Sequence, residues 1–166
     1  FSEIFDQVVT VNGVSKAWAM TGWRLGYIGA SKQIADACNK IQGQFTSGTS
    51  SITQRAAIAA MDADPGVLKE MVETFHKRRD LVLSNLNKIP GVKCNVPTGA
   101  FYLFPDVSAY FGTKDGDQVI KDGDDLCMYL LREGNIALVD GKGFGAPNCI
   151  RISYAASEEQ LIKAME

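Results

Sequence analysis

Histidine is almost missing from this chain: 166 residues hold one, His76. It lies in the charged run His76-Lys77-Arg78-Arg79-Asp80, which makes it a solvated or rim residue, and any triad that needs an imidazole is hard to assemble. The four cysteines, Cys38, Cys94, Cys127 and Cys149, form no Cys-x-x-Cys pair and have no second His/Cys cluster to join. They read as free thiols of a reducing compartment and exclude a structural zinc site. Positive charge is not in excess either. Seventeen Lys and Arg against nineteen Asp and Glu leave a formal charge of -2, with no basic field to follow a phosphate backbone, so nucleic acid is excluded and small molecules are the expected partners. No apolar run approaches the roughly 20 residues that cross a bilayer, and no basic, apolar, small-residue leader opens the chain. These absences together predict a cytoplasmic protein with no membrane partner.

What is present is an ordinary globular balance, 46% hydrophobic and 22% charged, enough for one large or two small domains. Phe1 is not an initiator methionine, and Ser157 to Glu166 (SEEQLIKAME) stops within a helical pattern, so the chain is expected to be cut at both ends. Gln7 to Asn12 and Arg24 to Ala30 read as strands. Ser31 is a candidate cap for a helix to about Ile41, followed by a polar loop, GQFTSGTSS, and an Ala-rich helix from Ile52 to about Met61. Asp64-Pro65 opens a long helix reaching about Lys88. Beyond Pro90 the texture changes to a strand at Ala100 to Phe104, an Asp/Gly-rich loop without calcium-ligand spacing, and a helix at Asp125 to Glu133. Strands at Ile136 to Val139 and Ile150 to Tyr154 follow, and Ser157 with Gln160 marks a capping box.

The sharpest chemical signal is Gly13 to Gly26, GVSKAWAMTGWRLG. A lysine that condenses with an aldehyde needs an unprotonated, fixed amine, which favours a desolvated place at a strand end. Lys16 follows a strand directly. Arg24, eight residues on, can offer a planar fork to a phosphate. In the second signal, Cys149 to Leu161 (CIRISYAASEEQL), strand alternation puts Ile150, Ile152 and Tyr154 on one face and Arg151 on the other. A third, Pro97 to Phe104 (PTGAFYLF), reads equally as a core strand or a ligand contact. Val139 to Gly145 (VDGKGFG) runs from strand to strand rather than into a helix, so it fails as a dinucleotide cradle.

The Gly13 to Gly26 string closely resembles the pyridoxal-phosphate attachment signature of class I aminotransferases, filling its constrained positions with Gly13, Val14, Ser15, Lys16, Ala19, Met20, Gly22, Arg24, Leu25 and Gly26. Members with serine three residues before the lysine use that hydroxyl on the phosphate; Gly13 stands there instead. With its context TVNGVSKAWAMTGWR, the string is most similar to the bacterial branch of aspartate aminotransferases. The resemblance runs from Gln7 to Glu166.

The resemblance implies an α/β fold. The chain would be the C-terminal portion of a fold-type I transferase, with residues 1–75 ending the large cofactor domain, 76–166 forming the small α+β domain, and a helix at about 65–88 bridging them. It implies pyridoxal 5'-phosphate as cofactor in the full-length enzyme, bound covalently by Lys16 and through its phosphate by Arg24. Arg151 would clamp the substrate α-carboxylate, and PTGAFYLF would close over the substrate. In this family the loop from Val139 commonly begins with Val-Pro-Gly; here Asp140 replaces the proline. The implied reaction moves an amino group from an amino acid, aspartate or similar, to a 2-oxo acid such as 2-oxoglutarate, in a homodimer. The family's ring-binding groups precede the lysine segment and are not in this chain, so the chain alone is expected to be inactive and to lack the cofactor. Two alternatives stay open: a lyase on the same fold, and an aminotransferase-like sensing domain of a transcription regulator. No metal is called for.

Overall fold

Apolar β-formers on either side of the Lys16 segment pair it into a hairpin. In the computed structural model, which describes residues 2–166, β1 (Thr10–Gly13) and β2 (Gly26–Gly29) run antiparallel with Val11 opposite Ile28 and Gly13 opposite Gly26. Both strands are shorter than their β-rich runs, and Val11 is 74% exposed, each strand having a single paired neighbour among the described residues. One helical turn, α1 (Val14–Ala17), begins directly at the end of β1.

Helix α2 (Lys32–Phe45) starts after Ser31, whose side chain makes no capping bond. It continues past Ile41 and through Gly43, so the polar loop shrinks to 46–50. A glycine costs only about 1 kcal/mol inside a helix, and Thr46 closes this one by donating its N–H to Gln42 O at 2.9 Å. After α3 (Ser51–Met61), α4 (Pro65–Leu86) begins as expected: proline occupies the first position, where its missing N–H has no cost, and Asp64 Oδ1 accepts from Gly66 N at 2.7 Å.

Contact density divides the chain into two units, one ending at Glu70 and one running from Met71 to Glu166. The buried interior of the first is small, with Val14, Thr53 and Ala57. The second carries a real core: Val82, Leu83 and Leu86 of α4 pack with Leu103, Tyr154 and Leu161. Its sheet has three antiparallel strands in the order β3 (Tyr102–Leu103), β7 (Ile150–Ser153), β6 (Val139–Asp140).

Several expected elements move. The strand foreseen at Ala100 to Phe104 narrows to Tyr102–Leu103, because Ala100 sits at φ +59°, outside the extended region. The one foreseen at Ile136 to Val139 becomes Val139–Asp140, since only those residues find a partner, Arg151 and Ile150. The Asp/Gly loop contains a hairpin, β4 (Lys114–Asp115) with β5 (Gln118–Val119), turning at Gly116 with φ +56°. Helix α5 (Gly123–Glu133) is capped by Asp122, which accepts from Asp125 N at 3.0 Å. Ser157 caps α6 (Glu158–Met165) by accepting from Gln160 N at 3.3 Å, which delivers Leu161 to the core.

Candidate active site

In the first unit the hairpin sets the position of Lys16. A Cβ on Gly13 would stand 2.9 Å from Leu25 O and 3.3 Å from Gly26 Cα, so the strands close this tightly only because residue 13 has no side chain. Val14, fully buried, anchors the turn that follows, and Lys16 lies on its exposed side. The turn ends in two long backbone bonds, Trp18 N to Val14 O and Ala19 N to Lys16 O, both 3.3 Å, with Ala19 in the left-handed region at φ +53°.

The desolvation expected of Lys16 is therefore not supplied by this chain. A single helical turn between two strands has too little wall to bury a side chain of that length. Arg24 is also exposed and sits before β2 rather than in it, in the left-handed region at φ 54°, ψ 53°. Its Nη1 donates to Thr21 O at 2.7 Å. That bond uses one of five guanidinium N–H groups and ties the side chain back over the 3-10 turn Thr21–Trp23.

In the second unit, Arg151 lies on β7 as alternation predicts, with Ile150 and Tyr154 buried on the other face. It is not on an edge, because β7 is the central strand. Its guanidinium carbon is 4.5 Å from the ring centroid of Tyr102 and 4.8 Å from that of Phe144. The PTGAFYLF segment answers to both of its readings: Leu103 is core, while Tyr102, its neighbour on the other face, meets Arg151. Residue-type reasoning missed Phe144, whose only signal was an aromatic in a loop leading into the arginine strand.

Asp140, the residue in place of proline, has a clear local job. Its Oδ2 accepts from Lys142 N at 3.0 Å and starts the 3-10 turn Lys142–Phe144. The loop then closes through Gly141 N to Cys149 O at 2.9 Å and Ala146 N to Gly141 O at 3.1 Å. Beneath it, burial pushes the Cys127 thiol up to about 11, with the Asp140 and Asp124 carboxylates adding to the shift. Such a thiol stays protonated and inert at neutral pH. Tyr154, also raised by burial, donates its hydroxyl to Ala100 O at 3.0 Å.

Two depressions in the surface lie elsewhere. One, of about 710 Å³, is lined by Asp6 and α2 residues such as Ile34 and Ile41. The other, of about 880 Å³, lies among Leu86, Leu126, Leu130 and Met165. Neither includes Lys16, Arg24 or Arg151 in its walls. Among the described residues no His/Cys/Asp/Glu group could hold a metal ion, and no helix is long and apolar enough to cross a membrane.

Lys16 and Arg24 thus lie on one hairpin loop of the first unit, and Arg151 lies on the central strand of the second unit's sheet. The chain belongs to the aminotransferase class I and II family, which matches residues 2–166. It is 52% identical over 167 residues to a bifunctional aspartate aminotransferase and glutamate/aspartate-prephenate aminotransferase of Petunia hybrida, covering 98% of this chain and 35% of that protein. It is 47% identical over 163 residues to an aspartate aminotransferase of Rhizobium meliloti (strain 1021), covering 97% of this chain and 40% of that protein. Its backbone matches the crystal structure of the Rhizobium meliloti aspartate aminotransferase with a TM-score of 0.95 at 43% identity, covering 99% of this chain and 42% of that one. The aspartate aminotransferase of Thermotoga maritima matches at 0.82 and 40%, covering 97% and 39%. The fold is thus an α/β one shared with these enzymes, and the chain spans about two fifths or less of their length.

Proposed function

We propose that the full-length protein is an aminotransferase that moves the amino group of aspartate, or a similar amino acid, to a 2-oxo acid such as 2-oxoglutarate. The observation that carries this reading is the Gly13 to Gly26 string folded as a hairpin loop with Lys16 on its single helical turn, in a chain of this family over residues 2–166. The donor set suits pyridoxal 5'-phosphate: a primary amine for its aldehyde and a guanidinium for its phosphate. When bound, that cofactor supplies the electron sink for a proton leaving the substrate Cα.

The remaining work falls to side chains of this chain. Lys16 would hold the cofactor through its side-chain amine, and that amine, when free, would be the base for the proton on the substrate Cα. Arg24 holds the phosphate, and its bond to Thr21 O keeps the fork in place. Arg151 would take the substrate α-carboxylate on its planar fork. The unit ending at Glu70 then belongs to the large cofactor domain, and the unit from Met71 to the small domain. Ring-binding groups come from the rest of the protein, which also covers Lys16. A cytoplasmic homodimer is the assembly we infer.

The test is a split of constants in the full-length enzyme. Arg24→Ala should weaken the cofactor first, whereas Arg151→Lys should raise KM for every amino-acid substrate while occupancy stays near normal, because a point charge replaces a planar fork. Equal cofactor affinity for Arg24→Ala, or a change confined to dicarboxylic substrates for Arg151→Lys, would contradict these roles. Turnover of cystathionine with none of aspartate would make the protein a lyase.

A further inference from the structure

We infer that Tyr102 and Phe144 are positioning residues that hold the Arg151 guanidinium flat and ready for a planar carboxylate, an inference resting on the reading of Arg151 as the carboxylate clamp. Both ring centroids lie within the roughly 6 Å over which an aromatic face attracts a guanidinium, at 4.5 and 4.8 Å.

The strand register explains the first contact. Tyr102 pairs with Ser153 and Leu103 with Ile152, so Arg151, two residues before Ser153, is the diagonal same-face neighbour of Tyr102. The loop explains the second. Phe144 ends the 3-10 turn that Asp140 starts and that Gly141 ties to Cys149. The rings are themselves supported: Phe101 lies 4.5 Å from Tyr102, and Phe104 meets Phe144 edge to face at 6.0 Å and 89°.

This arrangement holds a cation without consuming it. Among the described residues no carboxylate forms an ion pair with Arg151. An aromatic face interacts with the plane of the guanidinium, whereas its N–H donors point outward in that plane. The rings thereby restrict the fork's orientation and leave its donors for a ligand, which lowers the ordering cost of binding a carboxylate.

The experiment measures equilibrium binding of 2-methylaspartate, which lacks the α-hydrogen and cannot turn over, to the cofactor-loaded full-length enzyme. Tyr102→Leu and Phe144→Leu should each raise its Kd by roughly two- to tenfold, the ordering cost of one rotamer-rich side chain, with cofactor occupancy unchanged. Tyr102→Phe and Phe144→Tyr, which keep the rings, should bind like wild type. Phe144 is 53% exposed, so its replacement leaves the core intact and keeps the test open if Tyr102→Leu fails to fold. In an Arg151→Lys background both leucine substitutions should add little, since the partner they position is gone. Binding of 3-aminopropanoate, which is aspartate without its α-carboxylate, should not change. Normal Kd values for the leucine variants beside a weak Arg151→Lys, or an equal loss for 3-aminopropanoate, would overturn the positioning role alone. Normal binding by Arg151→Lys would overturn the clamp on which it rests.

Discussion

Replacing Gly141 by alanine should damage the loop that carries Phe144, and for a steric reason only. Gly141 has ordinary right-handed angles, φ -79° and ψ -13°, so alanine meets no backbone strain there. Its Cβ, however, would come closer than 3.0 Å to Ala146 O, Cys149 O and Cys149 C. All three are backbone atoms of the turn that Gly141 closes with its own N–H and C=O, so they cannot withdraw without loss of those bonds. Overpacking costs about 1–3 kcal/mol and each net hydrogen bond about 1 kcal/mol, which gives an expected destabilisation of about 3 kcal/mol. Urea unfolding followed by intrinsic fluorescence reads this as a fall in midpoint at constant slope. Gly143→Ala is the control: nothing lies within 4 Å of its added Cβ, and a near-neutral change is expected. A Gly141→Ala loss below about 0.5 kcal/mol, the range of ordinary surface substitutions, would refute the reasoning.

Gly13→Ser, which restores the hydroxyl of other family members, should cost about 1–3 kcal/mol by overpacking, because its Cβ meets Leu25 O at 2.9 Å; a serine variant as stable as wild type would show that the hairpin yields there. Cys127 should resist alkylation at neutral pH while the exposed Cys38 reacts, which mass mapping of alkylated peptides checks. The Cys127 pKa is raised from 9.0 to about 11 in the folded chain. The unfolded thiol therefore ionises first, and this group's contribution to stability is present below pH 9 and is lost as pH rises from 9 to about 11.

The sequence was most legible where one residue type has one mechanical use. Asp64-Pro65 opened α4, Ser157 and Gln160 opened α6, and alternation from Ile150 to Tyr154 gave the right faces to Arg151 and the core. It was least legible where pairing depends on a distant partner. Strand lengths at 100–104 and 136–139 were set by which residues met β7, a non-local fact. The place of β7 at the centre of its sheet, and with it the ring contacts of Arg151, could not be read from alternation alone. Helix α2 overran the polar loop because Gly43 is a weak stop when the next turn can still form its bonds. In the proposed site, Lys16, Arg24 and Arg151 were singled out by pattern together with family resemblance. The exposure of Lys16 was not legible, since burial depends on walls that a one-turn helix does not supply.

The most direct test of the account is borohydride reduction of the cofactor-loaded full-length protein, followed by digestion and mass mapping of the modified peptide. The account predicts one reduced pyridoxyl-lysine linkage, on Lys16, and its complete loss, together with turnover, in Lys16→Ala. A reduced adduct on another lysine, or an undiminished adduct in Lys16→Ala, would contradict it.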